Sequence, residues 1–279
     1  MWAEKKNDKI VDSIKKSEKS EMEKKKKRLH LIDEYRGFWV INMILFHGIW
    51  DLVYIFGCDW DWFRSEGAFI WQQCICWSFI LVSGFCWQMS RKNLKSGLTV
   101  FGAGIVITLA TLIFMPDSRV IFGVLTLLGS SMLLMIPCHK LFCKINPWVG
   151  AVVCFLILLF VYPVNDGYFG FGELVVVDLP RELYSSWLST YLGFPQSGFW
   201  STDYFSILPW FFLYAVGYFV YNLIFRGKEA AGKEKIKNIL AKSLCPPLGW
   251  IGRNALIIYM LHQPVVYGVL FLWSMIFVG

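Results

Sequence analysis

Charged side chains are scarce in this sequence outside its first part. Asp, Glu, Lys and Arg make up 17% of the 279 residues, whereas hydrophobic residues make up 56%. An ordinary soluble domain has about 25% charged residues, spread along its whole length. The scarcity excludes a soluble globular class, and the composition predicts an all-α, polytopic integral membrane bundle. The 14 Trp and 24 Phe fit aromatic belts at the two membrane surfaces.

The sequence also lacks a cysteine spacing suited to a metal or a disulfide framework. It has eight cysteines, most of them inside apolar segments or beside basic loops. Cys74 and Cys76 are too close together for a zinc pair, and no second cluster follows them. A P-loop and a dinucleotide fingerprint are likewise missing. We therefore expect no metal and no tightly bound cofactor.

Residues 1–29 have no apolar core and so do not read as a signal peptide. This basic stretch is too polar to fold alone, and we expect a disordered cytoplasmic tail. Its block Lys24–Arg28 favours attraction to anionic lipid headgroups over nucleic-acid binding.

Residues 30–279 are predicted to form one transmembrane domain. Seven segments are apolar and roughly long enough to span a bilayer, which takes about 20 residues each. They are approximately 37–57, 68–90, 98–116, 121–138, 148–163, 206–225 and 255–276. The fifth is short. The long outer connection 164–205 is either an interfacial lid or a loop that covers a substrate, and 226–254 is basic and partly helical.

The positions of Lys and Arg predict the orientation of the domain in the membrane. With the N-terminus inside, 24 of the 27 fall on the inner side and 3 on the outer side. Without the 12 of the N-terminal part, the ratio is still 12 to 3. Lys and Arg accumulate in cytoplasmic loops. We therefore expect a multi-pass protein of the cell membrane, with its N-terminus in the cytoplasm and its C-terminus on the external side.

The first span contains an imidazole and a carboxylate where both are costly to bury. Arg36 and His47 are 11 residues apart and share a helix face, and Asp51 lies four residues further on. His47 is then about 16 Å from Arg36, near mid-membrane. Asp51 can accept a hydrogen bond from one imidazole nitrogen and leave the other free. The alternative is a structural bond between helices. His30 and His139 fall at the inner surface, and the sequence gives no reason to assign them a catalytic role.

The last span contains a second histidine at a matching depth. His262 is nine residues beyond Arg253, or about 13 Å into the helix. Pro264 removes a backbone donor and bends the helix there, so His262 and Gln263 lie at a bend that can open a polar pocket. A core histidine beside a proline kink is the alternative reading. Two histidines at one depth favour a shared cavity with His47.

Five stretches in order resemble the heparan-alpha-glucosaminide N-acetyltransferase catalytic-domain family, in its short bacterial form. They are "IDEYRGFWVINMILFHGIWDL", "FILVSGFCW", "FGVLTLLGSSMLL", "STDYFSILPWFFLYAVGYF" and "WIGRNALIIYMLHQPVVYG". The Arg and His of the first stretch also match the signature of the wider transmembrane acyltransferases. Two departures are Thr126, where relatives often have a histidine, and an outer loop, "CDWDWFRSEG", without one.

The resemblance implies acetyl transfer from cytosolic acetyl-CoA to an acceptor across the membrane, a sugar amine or hydroxyl of an envelope glycan. We assign His47 as the base or acyl-relay residue, Asp51 as its orienter and His262 as a further catalytic residue. Arg36, Arg253 and Asn254 are predicted to bind acetyl-CoA, and Asp203 and Gln263 the acceptor. Alternatively, Asp203 is an N-terminal cap of the sixth span.

A rival prediction is a non-catalytic membrane protein, such as a proton-coupled transporter or a lipid-linked sugar carrier. Such a protein also needs membrane-buried His and Asp. It would more often show paired halves, and this sequence has no convincing internal repeat. The predicted partners are therefore the lipid bilayer, acetyl-CoA and a glycan acceptor, and not nucleic acid. The oligomeric state is unknown at this stage.

Overall fold

The structure, a computed structural model, describes residues 28–226 and 228–277. Seven of its helices are long and apolar enough to cross a membrane. They are α1 (His30–Tyr54), α2 (Glu66–Cys86), α3 (Asn93–Phe114), α4 (Val124–Phe142), α5 (Pro147–Val161), α7 (Ile207–Phe225) and α10 (Ala255–Phe277). All seven predicted spans are confirmed, including the short fifth. The predicted disordered tail falls almost wholly in residues 1–27, outside the described part.

The connections contain three further helices and one hairpin. The helices are α6 (Trp187–Leu192), α8 (Ala230–Leu240) and α9 (Pro246–Arg253), and the strands β1 (Tyr168–Phe171) and β2 (Leu174–Asp178) pair antiparallel. Short 3-10 turns cover Asp61–Arg64, Trp87–Met89, Pro116–Ser118, Tyr162–Asp166 and Arg181–Tyr184. The hairpin is the one exception to the all-α prediction in the described residues. The sequence did not indicate it, because β2 has no alternation of apolar and polar residues and is exposed along its length.

The hydrophobic core lies between α2, α4, α5 and α7. Its most deeply buried side chains include Ile80, Leu127, Leu158, Tyr214 and Phe219. The opposite faces of the helices expose large apolar side chains such as Ile113 and Trp148. Exposed apolar residues of this kind suit contact with lipid tails, which is consistent with a multi-pass membrane protein.

Helix α9 packs on the first turns of α1 with almost no side chain between them. A Cβ atom added to Gly37 would lie 2.0 Å from the Leu248 carbonyl oxygen, and one added to Gly252 would lie 1.8 Å from the Asp33 carbonyl oxygen. Close backbone contact through small residues is typical of helix packing in membranes. The contact fixes the position of α9, and with it the start of α10.

Helix α4 begins level with the middle of α3. Gly104 lies 11 residues after Asn93 and 10 before Phe114, and a Cβ atom there would be 2.7 Å from the Thr126 backbone nitrogen. The chain therefore returns from the end of α3 to its midpoint as largely irregular backbone, with one 3-10 turn at Pro116–Ser118. At membrane depth such backbone needs partners from the protein.

The partners come from the segment before α7. Thr202 N–H donates to the Arg119 carbonyl at 3.1 Å, and Phe205 N–H donates to the Phe122 carbonyl at 2.8 Å. Segments 119–123 and 201–206 thus pair with each other, although about 80 residues separate them. This pairing brings Asp203 into the bundle.

Candidate active site

Helices α1 and α10 lie side by side in the same direction, and their histidines meet. Gly37 lies beside Gly252, the Gly48 position is 3.5 Å from Val266 Cγ1, and the rings of Phe56 and Tyr267 are 6.0 Å apart. Between these contacts the rings of His47 and His262 lie with their centroids 4.9 Å apart and their planes at 54°. The structure therefore brings together the two histidines that the sequence places at one depth.

The orientation of the His262 ring is set by its own helix. His262 is buried, and its Nδ1 lies 2.6 Å from the Tyr259 carbonyl oxygen, three residues earlier. A carbonyl oxygen can only accept, so Nδ1 carries the proton and Nε2 has a free lone pair. Nε2 has no hydrogen-bonding partner within residues 28–226 and 228–277. This is the form of an imidazole that can act as a base.

The predicted hydrogen bond between His47 and Asp51 is not formed. Asp51 is fully buried, and its Oδ1 accepts from Gln263 Nε2 at 2.6 Å. Spacing along α1 places Asp51 on the His47 face, but the Gln263 amide reaches the carboxylate from the neighbouring helix. The ring of His47 instead contacts His262 and, edge-on, Phe46. Asp51 is therefore hydrogen-bonded to Gln263 and not to His47.

Three buried acceptor atoms lie unpaired in this contact between α1 and α10. They are Asp51 Oδ2, Gln263 Oε1 and His262 Nε2, and no donor reaches them from the described part of the chain. A buried acceptor without a donor costs about 1–3 kcal/mol. The site therefore suits a molecule that brings N–H or O–H groups.

The cationic residues predicted for acetyl-CoA lie near the start of α1 and at the end of α9. Arg36 donates from Nη2 to Cys86 Sγ at 3.3 Å and from Nη1 to the Gly252 carbonyl at 3.4 Å, and Nη1 lies 3.6 Å from Asp33 Oδ1. The Arg36 side chain is 26% exposed to solvent. Arg36 therefore connects α1 with the ends of α2 and α9 and still reaches the surface.

The other two residues predicted to bind acetyl-CoA lie at the C-terminal end of α9. Arg253 is exposed on the last turn of that helix. Asn254 follows the helix, and its Nδ2 donates to the Trp250 carbonyl at 2.9 Å. The side-chain amide of Asn254 is thus partly occupied by a hydrogen bond to the last turn of the helix.

Asp203 is a helix cap, but not of the helix that it precedes. Its Oδ2 accepts from the Val124 N–H at 3.1 Å and from the Tyr259 hydroxyl at 3.5 Å. Ser206, at the start of α7, has no capping bond through its side chain. The alternative prediction, a cap on the sixth span, is therefore wrong, because the pairing of segments 119–123 and 201–206 directs Asp203 to the start of α4.

Asp203 is also half-buried within the bundle, against a small cavity. A cavity of ≈ 10 Å³, about enough for one water, is bounded by Asp203, Tyr259, Thr126, Gly123 and Gly104, among others. Thr126, at the position where relatives often have a histidine, is buried and donates to the Gly123 carbonyl at 2.6 Å.

Sequence reasoning missed Tyr259, which contacts both Asp203 and His262. Its ring centroid is 5.4 Å from that of His262. The available signal was its position three residues before His262, which places both side chains on one helix face. His139 also has an unforeseen partner, because its Nδ1 lies 2.7 Å from the Tyr218 hydroxyl. Within the described ranges, no group of three or more His, Cys, Asp or Glu side chains is arranged to hold a metal.

Comparison with known proteins gives one match. The family model described as "Heparan-alpha-glucosaminide N-acetyltransferase, catalytic" matches residues 28–264, which is most of the chain. Comparison with curated proteins and comparison with solved structures give no significant match. The matched region contains the whole of α1 and α10 as far as Pro264, and so includes the histidine pair. The chain therefore belongs to the heparan-alpha-glucosaminide N-acetyltransferase catalytic family, and it is a multi-pass membrane protein of an acetyltransferase family.

Proposed function

We propose that this protein transfers an acetyl group from cytosolic acetyl-CoA to a sugar amine or hydroxyl on the other side of the membrane. The observation that carries the proposal is the contact between His47 and His262, with ring centroids 4.9 Å apart, on two parallel helices. Arg36 and Arg253 lie toward the same end of these helices. Membership of an acetyltransferase family supports the reaction class.

The distance along α1 supports a division of the site into two ends. His47 is 11 residues from Arg36, or about 16 Å along the helix. The thioester of acetyl-CoA lies at the end of a long flexible arm. The phosphates can therefore stay at Arg36 and Arg253 while the thioester reaches the histidine pair. Asn254 lies at the same end, beside Arg253.

The histidine pair supplies the base. The acceptor N–H or O–H gives its proton to His262 Nε2, whose lone pair is free, while the acceptor atom attacks the thioester carbonyl carbon. The tetrahedral intermediate then expels CoA as a thiolate, which takes a proton to become the thiol. His47, in contact with the His262 ring, is placed to share this proton or to act as the base itself. Asp51 and Gln263 offer acceptors to further donor groups of the acceptor molecule.

Orientation follows from the distribution of Lys and Arg, which favours a cytosolic N-terminus and an external C-terminus. With this orientation, Arg36 faces the side where acetyl-CoA is found. A reporter fused after Gly279 should read as external, and one inserted within 228–245 as internal. An internal reading after Gly279 would reverse the donor and acceptor sides and contradict this part of the proposal.

The direct test uses purified protein in detergent with acetyl-CoA and methyl glucosaminide as the probe acceptor. Release of the CoA thiol measures donor use, and the mass of the sugar product measures transfer. We expect acetylated sugar in proportion to released thiol. The doubly substituted His47→Ala, His262→Ala protein is the control and should give neither product. Equal product from the control would refute the assignment.

Proton-coupled transport is the second candidate, and the unpaired Oδ2 of buried Asp51 favours it over a structural bundle. Vesicles containing the protein, with radiolabelled methyl glucosaminide outside, distinguish the two. Uptake driven by a pH gradient without acetyl-CoA would support transport. Uptake or product formation that requires acetyl-CoA supports the transferase.

A further inference from the structure

We infer that Tyr259 and Asp203 form a positioning pair for the His262 imidazole. This inference rests on the proposed acetyltransferase function, but one of its tests needs no activity. It assigns Asp203 a role other than direct contact with the acceptor. It also gives Tyr259 a role in the site.

Tyr259 contacts His262 in two ways. Its carbonyl oxygen accepts from His262 Nδ1 at 2.6 Å, and its ring lies 5.4 Å from the imidazole, centroid to centroid. The first contact sets the tautomer, and the second limits the rotation of the imidazole ring. A displacement of Tyr259 therefore moves the base directly.

Asp203 connects Tyr259 to the rest of the bundle. The Tyr259 hydroxyl donates to Asp203 Oδ2 at 3.5 Å, and the same oxygen accepts from Val124 N–H at 3.1 Å. Asp203 lies on segment 201–206, which is hydrogen-bonded to segment 119–123. One carboxylate thus joins α10 to the start of α4 and to the segment that leads into α7.

Capping alone does not account for a carboxylate at this position. Asn caps helices about as well as Asp and has no charge to bury. Asp203 is partly buried and lies against the small cavity beside Tyr259. A charged acceptor forms a stronger bond to a hydroxyl than a neutral one does. The charge is therefore best explained by its bond to Tyr259.

The kinetic test compares Asp203→Asn, Tyr259→Phe and the double substitution, with acetyl-CoA and methyl glucosaminide as substrates. Asp203→Asn keeps the oxygen that accepts from Val124 and Tyr259 but removes its charge, and Tyr259→Phe removes the hydroxyl but keeps the ring and the carbonyl. We expect kcat to fall about 10- to 100-fold in each, as for a misplaced catalytic group, with both KM values unchanged. The double substitution should cost no more than the larger single one, because both changes act on the same bond.

Tyr267→Phe is the matched control, since Tyr267 lies two turns further along α10, against Phe56 and Phe271. It should leave kcat unchanged. A rise in the KM for methyl glucosaminide with unchanged kcat would overturn the inference, because it would place Asp203 or Tyr259 against the acceptor. Additive losses in the double substitution would also overturn it.

The second test records the ¹⁵N resonances of the histidine rings in detergent-solubilised protein. There are four histidines in the chain, and His262→Gln assigns the relevant signals. In the unsubstituted protein we expect the tautomer of His262 with the proton on Nδ1. Asp203→Asn and Tyr259→Phe should each release the ring at position 259, so that the imidazole can rotate away from the backbone carbonyl and a mixture of tautomers results. Tyr267→Phe should not have this effect.

The two tests separate this inference from the proposed function. A protein that transfers no acetyl group refutes the function, but the tautomer of His262 still decides the positioning role. An unchanged tautomer in both variants overturns the inference even if transfer is lost. Should Asp203→Asn fail to fold, as judged by gel filtration, Tyr259→Phe alone decides.

Discussion

Helix α1 has two groups of ionisable side chains, and their bonding differs. At its start, Glu34 accepts from Ser243 Oγ at 2.6 Å and from Leu244 N–H at 3.0 Å, while Asp33 and Arg36 bond to neighbours and to each other. Near His47, by contrast, Asp51 Oδ2 and the nearby acceptors of α10 have no donor in the described chain. The first group joins helices. The second has acceptors to spare, which is the basis for proposing it as the binding site.

The contrast between the two groups fails if the second group is not needed for catalysis. His47→Ala and His262→Ala should each lower kcat at least about 100-fold, the lower end of what a general base contributes. Both proteins should still insert, because alanine suits a membrane helix. Thiol release and sugar product in the purified variants measure the effect. A normal rate for His47→Ala would leave His262 as the base.

Disturbing the end of α1 that carries the first group should lower the stability of the protein and leave catalysis unchanged. Gly252→Ala places a methyl group 1.8 Å from the Asp33 carbonyl oxygen, so α9 must move away from α1. Overpacking of this kind costs about 1–3 kcal/mol. Thermal unfolding in detergent should show a lower midpoint. The matched control is Gly268→Ala, because a Cβ atom at Gly268 has nothing within 4 Å; an equal loss there would contradict the explanation.

Asp51→Asn sharpens the comparison because it changes charge and little else. The variant still accepts from Gln263 but no longer buries a carboxylate with a free oxygen. We expect an unfolding midpoint that is unchanged or higher, together with kcat lower by about tenfold, since the bond from Gln263 loses the extra strength that a charged acceptor gives it. A lower midpoint with normal kcat would place Asp51 in the structural group instead.

Arg36→Ala tests whether the first group also serves the donor. We expect the KM for acetyl-CoA to rise by about fivefold with kcat little changed, since one exposed charge-assisted bond contributes about 1 kcal/mol. Arg36→Lys should recover part of the loss, because it keeps the charge but not the planar fork. Unchanged affinity for acetyl-CoA in the Ala variant would limit Arg36 to its bonds with Cys86 and Gly252.

Sequence alone predicted the seven spans and the meeting of His47 with His262. Both follow from counting along a helix, since apolar length gives the spans and the fixed rise gives the depth. The partner of Asp51 could not be predicted in this way. Spacing defines a face of α1, but the choice between His47 and Gln263 depends on how closely α10 approaches.

The position of Asp203 was missed for a related reason. Its bond to Val124 joins residues 79 apart and depends on a pairing of two non-helical segments. No local pattern encodes such a pairing. The hairpin was missed because an exposed run of valines, Val175–Val177, has neither period of a half-buried element.

The glycine contact between α1 and α9 has a consequence for how the helices can move at the start of α1. A contact between two backbones has no side-chain rotamers that could change. The contact at Gly37 and Gly252 therefore holds α1 and α9 rigidly together. The contacts of α1 with α2 are made by side chains instead, since Arg36 donates to Cys86 Sγ and Tyr35 donates to Ser78 Oγ at 3.0 Å. A flexible side chain can swing aside where a backbone contact cannot. At this end of the bundle, the contacts of α1 with α2 can therefore rearrange more readily than its contact with α9.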